Sequence, residues 1–169
     1  ETRARNYRVL EDGDDAAGNY ESGDAHDYSI WDSAPTLPKV PFSAEEERHY
    51  RFVSEYGFQS FPDMQTVKAD TLPEDRTSLG TTVMKSHQKA VSGPGTVNGY
   101  DTIHDYMLQY YGKPKDFASL VYASQVLQAE AIKVIAEHLR RDRPHAMGSL
   151  YWQLNDCWPG MSWSSIDYY

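Results

Sequence analysis

The chain has 169 residues, a formal net charge of −9 and acidic residues spread along its length. That is enough for one domain with its own core, and it argues against nucleic-acid binding through phosphate neutralisation. Cys157 is the only cysteine, so no internal disulfide forms, and no apolar run approaches the ~20 residues of a membrane helix, so no membrane partner is expected.

The N-terminal stretch "ETRARNYRVL" has neither an initiating Met nor a signal-peptide apolar region, and with "SIDYY" at the other end it reads as an internal cut. Residues 1–24 show no sustained period, and "EDGDDAAGN" has a loop composition. "HDYSIWD" has room for a short strand, and the proline-spaced "APTLPKVP" runs extended because each proline restricts its predecessor. Ser43 with Glu46 forms a capping-box pattern, which predicts a short helix to about Tyr50. "RFVSEYGF" then reads as a strand ending near Gly57.

The middle of the chain is helical in pattern. "TLPE", Thr71 to Glu74, resembles an N-terminal cap, and Thr81 to Ala90 has the length of a short helix. "VSGPGTVNG" is a loop by its Gly and Pro content. Asp101 is the expected cap of "TIHDYMLQYY", which Gly112 closes. The strongest period runs from about Asp116 to Arg141, with Phe117, Leu120, Val121, Leu127, Val134, Ile135 and Leu139 near one face and a basic last turn. After Pro144, "GSLYWQLND" is a short apolar run that reads as a buried strand.

Two strands separated by a long helical excursion imply a parallel crossover pair. Both end in polar residues, Glu55 on the first and Asn155 and Asp156 on the second. In α/β barrels chemistry sits at that end of the strands. At 169 residues the chain is too short for a whole barrel of ~250 and long enough for half. Glu55 poses the sharpest question, because Phe52, Val53 and Tyr56 surround it, and an ionised carboxylate among apolar neighbours needs donors. The bland alternative is a strand-end Glu paired with Arg48 or Arg51. The four Trp and thirteen Tyr cluster in "YSIW", "YYG", "YWQLNDCW" and "WSSIDYY"; such rings serve either core packing or the C–H faces of sugars.

"FVSEYGFQSFP" and "GSLYWQLNDCWPGMSWSSIDYY" resemble the β-mannosidases of glycoside hydrolase family 2, and "GDAHDY" is similar to a third segment of that family at an earlier barrel strand. The resemblance runs from about Asn19 to Tyr169. It implies an α/β fold, the C-terminal half of a (β/α)8 TIM barrel covering about strands 5–8, with residues 1–169 forming one partial domain. The N-terminal half of the barrel and any accessory β-sandwich domains would lie outside these residues. By the same resemblance Glu55 matches the catalytic nucleophile at the end of strand seven. Trp152 matches the strand-eight Trp that floors the mannose subsite, and His26 matches a rim His that donates to a sugar hydroxyl. Trp31 and Gln88 are weaker substrate-binding candidates, while Asn155 and Asp156 orient the site. No cofactor and no metal are implied: Asp24 beside His26 lacks a third ligand at plausible spacing, and retaining glycosidases need none. The implied partners are a β-mannoside or manno-oligosaccharide and the remainder of the chain's own barrel.

The sequence also departs from the family. "TRARNYRVLEDGDD" is charged and proline-free where the family is rich in proline and aromatics, and Asp27 stands where an aromatic is usual. The family's acid/base is a Glu following Asn, and none of the four Asn here precedes a Glu. The acid/base is therefore expected on an upstream part. The expected activity is that of a retaining exo-β-mannosidase segment acting through a covalent glycosyl-enzyme on Glu55, inactive by itself. The alternatives are a catalytically silent carbohydrate-binding fragment and a family 2 glycosidase of different sugar specificity. Localisation stays open, although no Asn-x-Ser/Thr sequon marks a glycosylated lysosomal protein.

Overall fold

A ladder of three parallel segments organises the chain. The computed structural model describes residues 24–31, 41–90, 98–160 and 163–167. β1 (His26–Asp27) pairs in parallel with β2 (Glu55–Tyr56), in the register His26 to Glu55 and Asp27 to Tyr56. The Ser54 amide also donates to Ala25 O at 2.9 Å. On its other side the middle segment meets the chain that returns after residue 146. Val53 bridges Ser149 in parallel, and the amides of Met147, Leu150 and Trp152 donate to the carbonyls of Arg51, Val53 and Tyr56 at 2.8, 2.9 and 2.7 Å. The parallel crossover inferred from the two strand-like runs is thus present. The fold is a mixed helix/strand one, and the regular strand content is two residues per strand.

Close approach of the two segments explains a glycine. A Cβ on Gly57 would stand 2.3 Å from the Trp152 carbonyl oxygen and 3.1 Å from the Trp163 ring. Only a residue without a side chain lets the two backbones meet there.

Among the described residues four α-helices complete the framework: α1 (Met64–Asp70), α2 (Thr82–Ser86), α3 (Gly99–Tyr110) and α4 (Phe117–Arg141). None is long and apolar enough to cross a membrane. α4 begins where the period predicts, since the Asp116 carboxylate accepts the Ser119 amide at 2.7 Å and satisfies one of the first-turn donors. α3 begins earlier than expected. Asn98, not Asp101, is its cap, with Oδ1 accepting the amides of Tyr100 and Asp101 at 2.9 and 3.2 Å. Asp101 instead sits in the first turn and accepts from Asn98 Nδ2 at 2.8 Å. Gly112, just past the helix, adopts φ +79°, the left-handed conformation that glycine supplies at helix ends.

Two further sequence expectations are corrected. The "SAEE" helix is a 3₁₀ segment, Phe42–Glu47, that starts before Ser43 and ends short of Tyr50. Its entry is set by packing, because the Phe42 amide donates to Tyr110 Oη at 2.9 Å and the Phe42 ring stacks on Tyr106 and Tyr110. "TLPE" is no α-helical cap either. Thr71 ends α1, and the 3₁₀ segment Pro73–Thr77 follows, held by the Asp75 carboxylate on the Leu72 amide at 2.9 Å. The extended reading of "APTLPKVP", most of the glycine-rich loop after Ala90 and the loop reading of residues 1–23 lie outside the described residues.

The core lies between the ladder and α3 and α4. Val53, Phe58, Tyr106 and Leu127 are all buried in it, and Phe61 stacks on Tyr100 at 5.3 Å. The face expected for α4 is largely the buried one, with Val121, Leu127, Ile135 and Leu139 inside. Three buried polar residues share it, Ser124, Gln128 and His138. Each caps backbone arriving from elsewhere. Ser124 Oγ accepts the Phe61 amide at 3.0 Å, Gln128 Nε2 donates to Phe58 O at 2.8 Å, and His138 Nε2 meets Arg48 O at 2.6 Å. Loop carbonyls and amides brought into the core need such partners.

The returning segment corrects one expectation. "GSLYWQLND" is not buried among the described residues: Leu150 is 60% exposed, Trp152 44% and Leu154 56%. Its backbone pairs on one side with residues 51–56, while large apolar side chains face outward.

Candidate functional site

Side-chain alternation along the first strand builds the site. Residues 24, 26 and 28 share one face and residues 25 and 27 the other. Ala25 and Asp27 are buried, at 0% and 8% exposure, whereas Asp24, His26 and Tyr28 are only half-buried. The half-buried set meets the end of the middle segment. Tyr28 Oη donates to Glu55 Oε1 at 2.7 Å, His26 Nδ1 lies 3.7 Å from the same oxygen, and Ser54 Oγ donates to the Asp24 carboxylate. A phenolic donor at that distance answers how the Glu55 carboxylate tolerates apolar neighbours. Arg48, the bland partner considered for Glu55, lies 3.8 Å from Asp27 instead.

His26 stands between two carboxylates, with Nε2 3.6 Å from Asp24 and Nδ1 3.7 Å from Glu55. Both separations exceed a direct hydrogen bond, so the ring sits within electrostatic or water-bridged reach of each. The carboxylates approach opposite nitrogens and do not converge on one point, which is the wrong arrangement for a shared metal.

Asp27, on the opposite face, forms a separate polar cluster. Burial alone would push its carboxyl up, but hydrogen bonding from Ser29, with the Tyr50 hydroxyl and the Arg48 guanidinium nearby, holds it below the ordinary Asp value. Burial, and then the Asp27 charge, push the Tyr50 phenol well above its ordinary value.

The other sequence-derived candidates divide between surface and core. Trp152 is tied to the site by its backbone, its amide donating to Tyr56 O at 2.7 Å, and its ring is half-exposed beyond the strand end. The peptide that follows it, Trp152–Gln153, is cis. Asn155 is exposed. Asp156 accepts Gln153 Nε2 at 2.7 Å and also takes hydrogen bonds from Lys89 Nζ and Ser164 Oγ, so it clasps three chain segments together. Trp31 is buried, with edge contacts to Phe58 and Trp163 at 5.1 and 4.8 Å. Gln88 is buried too, its Oε1 accepting the Ala90 amide at 2.9 Å.

Two contributors escaped the sequence reading. Tyr28 is the closest donor found for Glu55 among the described residues, and strand alternation from His26 was the signal that placed it on the same face. Trp163 packs edge-on against Tyr28 at 5.2 Å and against Trp31, so it sets the position of the Tyr28 ring; no periodic signal marks it. A cleft of about 690 Å³ lies elsewhere, between α1, α4 and the 151–167 segment, and its lining includes Tyr151, Asp156 and Trp158 but not Glu55. Concavity and the carboxylate cluster therefore disagree about the site. The cluster is preferred, because it brings a carboxylate, a phenol and an imidazole together, which the cleft does not.

No family model matches the chain. It is 33% identical over 156 residues to the β-mannosidase of Capra hircus, covering 86% of this chain and 16% of that protein. It is 31% identical over 157 residues to β-mannosidase B of Aspergillus flavus, covering 87% of this chain and 17% of that one. Among solved structures it superposes on the β-D-mannosidase of Dictyoglomus thermophilum with a TM-score of 0.75 at 32% identity, over 89% of this chain and 17% of that chain. The chain is thus a homologue of β-mannosidases over most of its own length, and it spans about one-sixth of theirs.

Proposed function

We propose that this chain is the nucleophile-bearing part of a retaining exo-β-mannosidase of glycoside hydrolase family 2, contributing about strands 5–8 of a TIM barrel. The observation that carries the reading is Glu55 at the end of the middle parallel segment, its Oε1 accepting the Tyr28 hydroxyl at 2.7 Å with His26 alongside. The similarity to β-mannosidases over most of the chain supports the sugar. Three parallel segments ordered 24–27, 51–56 and 147–152, with their polar residues at one end, support the barrel.

In this reading the Glu55 carboxylate attacks the anomeric carbon of a terminal β-D-mannosyl residue. The Tyr28 donor holds one oxygen in place and leaves the other to form the bond. The glycosyl ester that results is then hydrolysed by water. A second carboxyl group, about 5 Å away in retaining enzymes, protonates the leaving oxygen and later deprotonates that water. With no Asn-Glu pair in the chain, that group belongs to protein outside these 169 residues. Trp152 offers its exposed face as an apolar platform for the sugar ring, and His26 is a donor to a hydroxyl at the rim.

The test is covalent trapping. The intact protein is incubated with a 2-deoxy-2-fluoro-β-mannosyl fluoride, digested and mapped by mass spectrometry, and the label is expected on Glu55. Label on another carboxylate, with Glu55→Gln fully active, would sink the assignment. A panel of nitrophenyl glycosides separates mannoside from glucoside or galactoside hydrolysis. Absence of turnover and of any label, with sugar binding retained, would favour a silent binding fragment.

A further inference from the structure

A second cluster of ligand-type side chains sits at the opposite end of the parallel segments from Glu55. His49, His138 and Asp142 each bring one ligand-type atom within 4.8 Å of the others. His138 and Asp142 stand one turn apart at the end of α4, and His49 precedes the middle segment. Five residues lie between His49 and Glu55, and the six steps span up to about 20 Å of extended chain. The cluster is therefore separate from the candidate glycosidase site and does not depend on that reading.

We propose that His49, His138 and Asp142 bind a Zn²⁺ ion that ties the entry to the middle strand to the C-terminus of α4. Four features support it. His49 Nδ1 and Asp142 Oδ2 are 3.2 Å apart, close to the ~3.3 Å edge of a tetrahedron with ~2.0–2.1 Å bonds, and the exposed His49 ring has room to close the wider separations of the set, which reach up to 4.8 Å. Asp142 Oδ2 is a buried atom for which the protein supplies no well-formed hydrogen bond, so an electrophile is wanted there. The His138 ring is oriented by Nε2–H donation to the Arg48 carbonyl at 2.6 Å, which leaves the lone pair on Nδ1; metal-bound imidazoles are commonly oriented this way. The His49 backbone is likewise braced, its carbonyl facing His145 Nε2 at 3.2 Å.

Electrostatics point the same way. Asp142 is the C-cap of a 25-residue helix, where the unsatisfied carbonyls disfavour a carboxylate and favour a cation. Two imidazoles and one carboxylate form a nitrogen-rich set suited to Zn²⁺ rather than to Ca²⁺ or Mg²⁺, which take oxygen ligands. Water completes the fourth position. The bland alternative is a His49–Asp142 ion pair with His138 as a bystander.

The experiment uses the intact protein, freed of metal by chelation and carrying Cys157→Ser to remove an exposed thiol that would also take Zn²⁺. Zn²⁺ is titrated against a chromophoric chelator, and thermal unfolding is followed with and without the ion. One equivalent is expected to bind and to raise the Tm. His49→Ala and Asp142→Asn should each weaken binding by at least about tenfold and abolish the Tm shift. His138 is left in place because its bond to Arg48 makes its loss a folding lesion. The apo form loaded with Co²⁺ should show the visible bands of a four-coordinate ion. Uptake that survives both substitutions overturns the proposal, as does no uptake above background. An Asp142→Asn loss of stability that is independent of Zn²⁺, with no metal bound by the parent, would establish the ion pair instead.

Discussion

The Tyr28–Glu55 contact carries most of the chemistry argued above, and it is a single O–H group. Tyr28→Phe removes that donor and keeps the ring, whose edge contact with Trp163 at 5.2 Å preserves its position. A hydrogen bond to a charged group contributes about 1.5–3 kcal/mol, equivalent to roughly 10- to 150-fold in rate. The expected outcome is a fall in kcat of that order in the intact protein, with little change in KM, measured on p-nitrophenyl β-mannoside. An unchanged kcat would count against the role proposed for this hydrogen bond. The contrast with Asp27 is instructive. One residue after His26, it points to the other face, and Ser29, Tyr50 and Arg48 compensate it as part of the scaffold.

Elements in this fold meet at close backbone contacts, and Gly57 marks one of them. Any side chain there drives the 147–152 segment off the middle strand, because the obstructing atom is the Trp152 carbonyl oxygen and not a flexible side-chain end. Gly57→Ala is expected to destabilise by about 1–3 kcal/mol, the usual range for overpacking. Chemical denaturation of the intact protein should show a lower midpoint with an unchanged m-value. A midpoint equal to the parent's would show that the two segments do not approach so closely. At this scale the sequence was legible where the signal is local. The α4 period and the Asp116 cap are properties of consecutive residues, and both ends of that helix follow from them. Ser124, Gln128 and His138 broke the apolar pattern because their partners lie about 60 to 90 residues away. The α3 start shifted because Asn98 and Asp101 are both good caps, and Asn98 reaches two amides. Alternation from His26 puts Tyr28 on the same face, but its meeting with Glu55 needed the register between strands, which no local pattern supplies.

At the scale of the whole molecule, the distribution of apolar surface is uneven. The core between the ladder and α3 and α4 is closed, yet Leu150, Trp152, Leu154, Trp158 and Ile166 face outward along one stretch of chain. Under the proposed function the remainder of the barrel covers these side chains. The third segment of the ladder pairs with residues 51–56, and where it runs on into Gln153 and Leu154 its backbone pairs with residues 163–166. The 169 residues expressed by themselves are therefore expected to self-associate, seen as concentration-dependent light scattering and sedimentation. They are also expected to release no p-nitrophenol from the β-mannoside above background. Leaving-group protonation contributes typically ~10²–10⁴-fold, and the residue assigned to it lies outside these 169. Supplying the upstream part of the protein, fused or in trans, should restore both a discrete particle and turnover. Robust hydrolysis by the 169 residues alone, abolished by Glu55→Gln, would place the acid/base within them. Asp24 is then the first group to replace, because it faces the His26 ring from the side opposite Glu55.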